Sequence, residues 1–255
     1  MPELLRTPST RLDGRRALVT GAGRGLGFAC AAALAAAGAE VVLAARTADE
    51  IEAAAAAIRS AGGASSAVVL DVGDVVQASR WVASERVFDI LVNNAGTNRP
   101  GPFLETSIED YDAVFAVNVR ASYFLAQAVA RGLVAARKPG SIINVSSQMG
   151  HVGAVKRVVY CASKHAIEGM TKAMAAELGP HGIRVNTLCP TFIETPLTRP
   201  YFEDEAFRAA VLAKIKLGRL GRPEDIMGAI VFLASDASAL MTGSALMLDG
   251  GWTTS

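Results

Sequence analysis

A tyrosine and a lysine stand four positions apart in VVYCASKHAIEGM, the stretch that spans 158–170. On a helix, residues at this spacing lie on one face, one turn apart, so Tyr160 and Lys164 would be neighbours. A free phenol has a pKa of about 10 and is a poor acid or base near neutral pH. An ammonium about 4 Å away contributes about 4 kcal/mol at an effective dielectric constant of about 20, enough to shift that pKa by roughly three units. The pair predicts a general acid/base, with an ordinary amphipathic helix surface as the alternative.

A glycine-rich loop near the N-terminus offers a second kind of chemistry. In ALVTGAGRGLGFACAAAL, a short apolar run leads into glycines at 21, 23, 25 and 27, and a helix-like segment follows. Glycine permits a tight turn and lets backbone N–H groups approach a pyrophosphate, while the following helix N-terminus adds a favourable dipole. A glycine-rich turn alone is weak evidence, but the order of strand, loop and helix predicts a nucleotide-binding site.

The elements that must position these groups follow a regular alternation. Short apolar runs occupy 16–21, 39–46, 65–72, 89–96, 140–147, 182–190 and 244–251. Their apolar residues are consecutive, which is typical of parallel strands covered on both faces. Ala-rich segments that stop at glycines, and a longer segment that begins SIEDYD, indicate helices between them. The pattern predicts an α/β fold, a doubly wound parallel sheet of Rossmann type, as a single domain over 14–255 after an N-terminal lead, 1–13.

Composition excludes several classes of protein. The chain has 255 residues, 51% of them hydrophobic, with 25 basic and 24 acidic residues. This balance gives neither the basic footprint of a nucleic-acid-binding protein nor a polybasic membrane-binding face. The N-terminus lacks the apolar core of a signal peptide, and we expect no later run to be long enough to span a bilayer. Three scattered cysteines and three histidines without metal-ligand spacing predict a cytoplasmic protein with no disulfide framework and no metal site.

Three motifs together resemble the short-chain dehydrogenase/reductase family: T-G-x-x-x-G-x-G at 20–27, NNAG at 93–96 and Y-x-x-x-K at 160–164. The resemblance covers essentially the whole chain, in the family's order. It implies hydride transfer between a nicotinamide cofactor and a small-molecule ketone or secondary alcohol. The catalytic residues that it implies are Ser147, Tyr160, Lys164 and Asn118.

Each of these four residues has an implied role. Ser147 would hydrogen-bond the substrate oxygen, and Tyr160 would exchange the proton with substrate. Lys164 would lower the pKa of Tyr160 and bind the nicotinamide ribose. Asn118 would hold a water that links Lys164 to bulk solvent, with local bonding of its amide to the backbone as the alternative.

The expected cofactor contacts are spread over six segments. They are Gly21, Arg24, Gly25, Leu26, Gly27, Arg46, Asp71, Val72, Asn93, Ala95, Gly96, Tyr160, Lys164, Pro190, Ile193 and Thr195. Ala45 fills the position where an acidic residue would repel a 2′-phosphate, and the guanidinium groups of Arg24 and Arg46 would bind one. We therefore expect a preference for NADP(H), with NAD(H) possible if Arg24 is simply exposed and Arg46 stacks on the adenine. The family usually has Pro-Gly where this chain has Pro190-Thr191, which leaves the loop conformation there open.

The substrate is less determined than the reaction. The irregular segment 190–215 follows a strand and is predicted to bind substrate, with a tolerated surface insertion as the alternative. Polar contacts could come from Arg99, Gln148, His151 and Arg157, and an apolar slot from Met149, Val152, Phe192 and Tyr201.

Two stretches, NNAGTNRPGPF and FEDEAF, are similar to gluconate 5-dehydrogenase-like members of the family. This favours a small keto or polyhydroxy, sugar-acid-like substrate. A 3-oxoacyl-carrier-protein reductase is the alternative, and a non-catalytic dinucleotide-binding sensor is a remote one. The family is commonly homotetrameric, so we expect a homotetramer.

Overall fold

Seven parallel strands form one sheet in the computed structural model, which describes residues 4–196 and 198–254. Residues 1–3 of the predicted lead, Leu197 of the 190–215 segment and Ser255 lie outside the described residues. The strands are β1 (Arg16–Thr20), β2 (Glu40–Ala45), β3 (Ser65–Val69), β4 (Ile90–Asn93), β5 (Gly140–Val145), β6 (Ile183–Pro190) and β7 (Ala245–Leu248). Their order is β3-β2-β1-β4-β5-β6-β7, every pair parallel, which confirms the predicted doubly wound sheet.

Helices cover both faces of this sheet. They are α1 (Gly25–Ala36), α2 (Ala48–Ser60), α3 (Val75–Ser84), α4 (Ile108–Phe115), α5 (Ser122–Ala136), α6 (Val158–Leu178), α7 (Glu205–Leu212) and α8 (Pro223–Ala234). A π-helical turn, Ala116–Ala121, joins α4 to α5 in one continuous helix. The segment after β6 contains a short 3₁₀ helix, Arg199–Glu203, before α7, as its irregular composition predicts.

The consecutive burial of strand residues has a simple origin. Neighbouring side chains of β1 point to opposite faces of the sheet, so Val19 packs in the cluster with α1 and α8. Leu18 packs in the other cluster, with α3 and α5. Because both faces are covered by helices, neither side chain meets water, and the strand reads as one apolar run.

Helix ends follow the local signals in the sequence. Gly38 after α1 has φ +107° and Gly62 after α2 has φ +85°, the left-handed backbone that glycine adopts at low cost. The Ser107 hydroxyl accepts from Asp110 N at the start of α4, at 3.0 Å.

One expectation about long apolar helices is wrong. The continuous helix Ile108–Ala136 has 29 residues and is long and apolar enough, by length and composition alone, to cross a membrane. It is a core helix here, because Leu125, Val129 and Leu133 are buried against the sheet. Its apolar character is explained by packing within the fold.

The order of the strands in the sheet changes direction between β1 and β4, which lie side by side. β2 and β3 lie on one side of β1, and β4 to β7 follow on the other. In open α/β sheets, ligands bind outside the carboxyl ends of the strands at such a switch point. The glycine loop follows β1, NNAG ends β4, and Ser147 follows β5. The fold therefore gathers three predicted motifs at one edge.

Candidate active site

The glycine loop is held in a narrow turn between β1 and α1. Gly21 and Gly25 have φ of +63° and +58°, a conformation that strains other residues. A Cβ on Gly27 would collide with the Gly21 carbonyl and the Asn94 amide, so α1 can approach the loop only with glycine there. Asn94 Nδ2 donates to the carbonyls of Thr20 (2.9 Å) and Gly21 (3.1 Å). This clamp makes Asn94 a site residue missing from our predicted set, although NNAG contains it.

The first turn of α1 suits an anion. Arg24 precedes the helix in extended conformation, and within the described chain no side chain caps the helix. Gly25, Leu26 and Gly27 form the first turn, whose N–H groups lack intrahelical acceptors. Such N–H groups bind phosphate, and glycine lets the backbone approach it closely. These residues fit the pyrophosphate of a dinucleotide.

The region beyond the end of β2 carries positive charge. No carboxylate stands at the position where one would repel a 2′-phosphate. Ala45 ends β2, and the exposed Arg46 follows it. Arg24 Nη1 pairs with Glu50 Oε1 at 3.1 Å, with both side chains exposed. An exposed pair of this kind stabilises by only about 0–1 kcal/mol, so it leaves Arg24 free to turn toward a phosphate. Two guanidinium groups, with no acidic residue at position 45, fit a 2′-phosphate better than a free ribose hydroxyl.

The predicted adenine contacts lie after β3. Val72 is buried, and Asp71 is exposed with its carboxylate accepting from Gly73 N at 2.9 Å. This contact fixes the turn that follows the strand. Both residues lie at the same sheet edge as the glycine loop.

Asn93 and its neighbours make hydrogen bonds that hold strands and helices of the fold together. Asn93 Nδ2 donates to Ser122 O (3.0 Å) and Asn144 Oδ1 (2.9 Å), which joins β4 to α5 and β5. Ala95 N donates to Thr20 Oγ1 at 3.1 Å, which holds the NNAG turn against the end of β1. The Asn93 amide nitrogen is thus engaged inside the fold, whereas its buried Oδ1 has no partner among the described residues. A cofactor would meet the backbone of this turn, including Gly96.

Ser147, Tyr160 and Lys164 come together at the ends of β5 and the start of α6. The buried Ser147 hydroxyl donates to Gln148 Oε1 (2.7 Å) and accepts from Met149 N (3.1 Å). Lys164 is buried, and its Nζ lies 5.5 Å from the centroid of the Tyr160 ring. The Nζ also donates to Val145 O at 2.8 Å, so the last residue of β5, two positions before Ser147, anchors the lysine.

Burial sets the acidity of this pair in the protein alone. It raises the pKa of Tyr160 to about 12, although the nearby Ser147 hydroxyl and the Arg157 charge lower it. Burial lowers the pKa of Lys164 to about 8, against the raising effects of Cys189 and Glu168. In the protein without cofactor, desolvation outweighs the groups that lower the Tyr160 pKa, and the lowering by Lys164 stays a prediction. Near neutral pH the tyrosine is therefore a neutral phenol, able to donate a proton, beside a charged ammonium.

Asn118 lies in the π-helical turn and is buried. Its Oδ1 accepts from Thr97 N (2.8 Å), and its Nδ2 donates to Thr97 O and Ser163 Oγ (3.0 Å each). The backbone partner is thus the loop after β4, rather than its own helix. Through its hydrogen bond to Ser163, the Asn118 amide holds α6 at the position next to Lys164. The predicted link from Asn118 to a water stays a prediction.

The loop after β6 reaches back to the glycine loop. Thr191 does not have positive φ, which among described non-glycine residues occurs only at Arg137 and Lys156. The loop conformation therefore does not require the glycine usual in the family. A Cβ built on Gly25 would lie 3.6 Å from Thr195 Cβ, so Thr195 lies against the glycine loop, and its contact with a cofactor stays a prediction.

Thr198 organises this segment and was not predicted. Its hydroxyl donates to Ile193 O (2.6 Å) and accepts from Thr195 N (2.9 Å). Pro190, at the end of β6, leads directly into this turn. No motif in the sequence marks Thr198, because its role depends on how the loop closes.

Arg157 stands out among the candidate substrate contacts. It is 9% exposed, stacks on Tyr201 at 5.6 Å and has a buried Nη1 without a hydrogen-bond partner among the described residues. A buried guanidinium usually has an anionic or carbonyl acceptor. Arg99, by contrast, pairs with Asp110 at the surface, at 2.6 Å. The geometry therefore separates one buried free cation from one satisfied surface cation.

Comparison with known proteins agrees with this geometry. A family model described as enoyl-(acyl carrier protein) reductase matches residues 21–253. The L-xylulose reductase of Bos taurus is 44% identical over 95% of this chain and 98% of its own length. The gluconate 5-dehydrogenase of Gluconobacter oxydans (strain 621H) is 40% identical over 96% of each chain. A crystal structure of a gluconate 5-dehydrogenase from Burkholderia cenocepacia J2315, in complex with NADP and tartrate, has a TM-score of 0.92 and 38% identity over 96% of this chain and 98% of that one.

Proposed function

Because the chain belongs to the short-chain dehydrogenase/reductase family, we propose that it moves a hydride between NADP(H) and a small polyhydroxy, sugar-acid-like substrate, interconverting a ketone and a secondary alcohol. The observation that carries this proposal is the grouping of Ser147, Tyr160 and Lys164 at the sheet edge beside the glycine loop. A complete set of this kind argues against a non-catalytic sensor.

The proposed chemistry assigns one proton step to Tyr160. In reduction, its neutral phenol donates the proton to the ketone oxygen, and in oxidation the phenolate takes it from the alcohol. The Ser147 hydroxyl, turning from Gln148 Oε1 to the substrate, would donate a hydrogen bond to the same oxygen and so polarise the C=O bond. The Lys164 ammonium, fixed by Val145 O, stabilises the negative charge that forms on the tyrosine.

The proposed cofactor preference rests on charge at the end of β2. Ala45, Arg24 and Arg46 fit a 2′-phosphate, and the gluconate 5-dehydrogenase structure with bound NADP supports the same preference. Asp71, Val72, Asn93, Ala95 and Gly96 would line the adenosine side. Pro190, Ile193 and Thr195 would hold the nicotinamide side.

The substrate assignment rests on Arg157. A buried guanidinium with a free Nη1, three residues before Tyr160, suits the carboxylate of a sugar acid. The segment 190–215 would close the pocket, since Tyr201 already stacks on Arg157. A 3-oxoacyl thioester would leave this cation without a carboxylate partner.

A kinetic screen tests the assignment. Wild-type enzyme is assayed with NADPH and NADH against keto acids, sugar acids, neutral ketoses and polyols, cyclic ketones and 3-oxoacyl thioesters. We expect kcat/KM for a sugar acid to exceed that for the matched neutral polyol by about tenfold or more, the value of a charge-assisted contact.

The control separates charge recognition from general damage. Arg157→Gln should remove the preference for the acid and leave kcat/KM for the neutral polyol nearly unchanged, whereas the surface variant Arg99→Gln should keep the preference. Thioesters as the best substrates, or a preference that survives in Arg157→Gln, would contradict the assignment.

We also propose a cytoplasmic homotetramer with no nucleic-acid or membrane partner. Tyr111 and Tyr123 are 46% and 43% exposed on the outer face of the Ile108–Ala136 helix, which supports a helix–helix subunit interface there. Light scattering after size exclusion tests the assembly. A monomer at micromolar concentration would contradict it.

A further inference from the structure

Three side chains far apart in the sequence meet behind the catalytic serine. His151 follows the turn after Ser147, Glu168 lies on α6, and Cys189 lies near the end of β6. Their nearest atoms are close: Cys189 Sγ to His151 Nε2 is 3.6 Å, Cys189 Sγ to Glu168 Oε1 is 3.3 Å, and His151 Nε2 to Glu168 Oε1 is 3.4 Å. Thus a thiol, an imidazole and a carboxylate oxygen form a small triangle.

The size of this triangle matches a tetrahedral metal site. Zinc binds sulfur at about 2.3 Å and nitrogen or oxygen at about 2.0–2.2 Å, which places such ligand atoms about 3.3–3.6 Å apart. All three separations fall in that range. Direct hydrogen bonds between imidazole and carboxylate are shorter, at about 2.7–2.9 Å when charge-assisted. The spacing is therefore that of ligands around a common centre.

The surroundings hold the carboxylate as a metal ligand would be held. Thr187 Oγ1 donates to Glu168 Oε2 at 2.9 Å, which leaves Oε1 facing the thiol and the imidazole. Glu168 is buried, and among the described residues its only ion-pair partner is His151. The buried Ser146 hydroxyl has no hydrogen-bond partner in the described chain.

We propose that His151, Glu168 and Cys189 bind one zinc-class divalent ion, with the fourth coordination position open to water. Thiolate, imidazole and carboxylate together favour zinc over magnesium or calcium. The His151 side chain is 32% exposed, which gives the ion a route in. Bound metal would tie the turn after Ser147 to α6 and β6. The sequence predicts no metal site, because the ligands come from three separate elements.

Cobalt titration of the full-length protein tests the site. Chelator-treated enzyme is titrated with Co²⁺, which reports a thiolate ligand by charge-transfer absorption and tetrahedral geometry by its visible bands. We expect one equivalent per chain and loss of both signals when Zn²⁺ displaces the cobalt. Zn²⁺ should also raise Tm in proportion to the logarithm of its concentration.

Matched variants distinguish this site from adventitious binding. Cys189→Ser should abolish the charge-transfer band, and His151→Asn should weaken Co²⁺ binding about 100-fold or more. Cys161→Ser and His181→Asn, which change the same residue types outside the cluster, should bind as wild type does. The partly exposed His151 keeps the test valid if Cys189→Ser does not fold. Absence of the band in wild type, or binding retained in His151→Asn, would overturn the proposal.

Discussion

The proposed catalytic corner, formed by Asn118, Ser147, Tyr160 and Lys164, contrasts with the proposed phosphate corner, formed by Arg24, Ala45 and Arg46. In the catalytic corner, Asn118 and Lys164 are buried and hydrogen-bonded to groups on other elements, and the buried Ser147 hydroxyl bonds to the adjacent Gln148 and Met149. In the phosphate corner, the arginines are exposed, and Arg24 has one surface ion pair.

The difference separates two tasks. A proton donor must stand within a few tenths of an ångström of its position, which requires neighbours that cannot move. A phosphate can be met by flexible cations, because charge attraction acts over a longer range than a single aligned hydrogen bond. Changes in the catalytic corner should therefore alter rate, and changes in the phosphate corner should alter cofactor choice.

The largest effect is expected for Tyr160→Phe. Loss of the phenolic proton should lower kcat by about 10³-fold, within the range for a general acid/base, while the Kd for NADPH stays within about threefold. Stopped-flow turnover and fluorescence titration of NADPH measure the two quantities. Tyr111→Phe, which keeps the aromatic ring at the proposed subunit interface, should match wild type. A variant that retains near-normal turnover would remove Tyr160 from the mechanism.

Ala45→Asp should change cofactor choice instead of rate. A carboxylate at the end of β2 would repel a 2′-phosphate and accept from ribose hydroxyls, so the ratio of kcat/KM for NADPH to that for NADH should fall roughly 100-fold. The value of kcat at saturating NADPH should stay nearly constant. Ala45→Ser is the uncharged control. If selectivity is the same in both variants, the phosphate corner is placed wrongly.

The pH dependence of kcat/KM should reflect the titration of the buried Lys164 amine. Burial lowers the pKa of Lys164 to about 8, so the ammonium loses its proton as pH rises through that value. Tyr160 remains protonated there, because its pKa is raised to about 12. In chelator-treated enzyme, kcat/KM for reduction should fall about tenfold per pH unit above about 8.

Lys164→Arg provides the control for this profile. Arginine stays charged across the range, so the residual activity of this variant should show no break near pH 8. A break at the same pH in both proteins would assign it to another group.

Within the catalytic corner, Asn118→Ala should have a smaller effect on rate than Tyr160→Phe, together with a measurable effect on stability. It removes three hydrogen bonds in a buried position, which should lower the free energy of unfolding by about 2 kcal/mol and kcat by about tenfold. Ser163→Ala, which removes one of these contacts, should cost less on both measures. Urea denaturation and steady-state assays check the order, and equal effects would show that Ser163 carries the link.

The sequence was sufficient for the strands and for the sheet edge that gathers the motifs. Consecutive apolar residues in each strand reflect burial on both faces, as Leu18 and Val19 show. Motif spacing was also sufficient to place Tyr160 beside Lys164.

Other features depended on contacts between distant segments. Asn94 clamps Thr20 across 74 positions, and Thr198 closes a loop without any motif. The pKa of Tyr160 depends on how deeply its side chain is buried. Lys164 donates to Val145 O, a contact that no local sequence pattern predicts. Local helix and strand propensities carry no information about contacts between segments that are distant in the sequence.

The π-helical turn at Ala116–Ala121 also sets a limit on length. Such a turn accommodates one more residue than a regular α-helical turn, so deleting a single residue there would restore regular i→i−4 bonding. The same deletion would rotate the Asn118 amide away from Thr97 and Ser163. The shortened chain would thus have a more regular helix but would lose the hydrogen bond by which Asn118 holds α6. That contact therefore requires the π-helical turn.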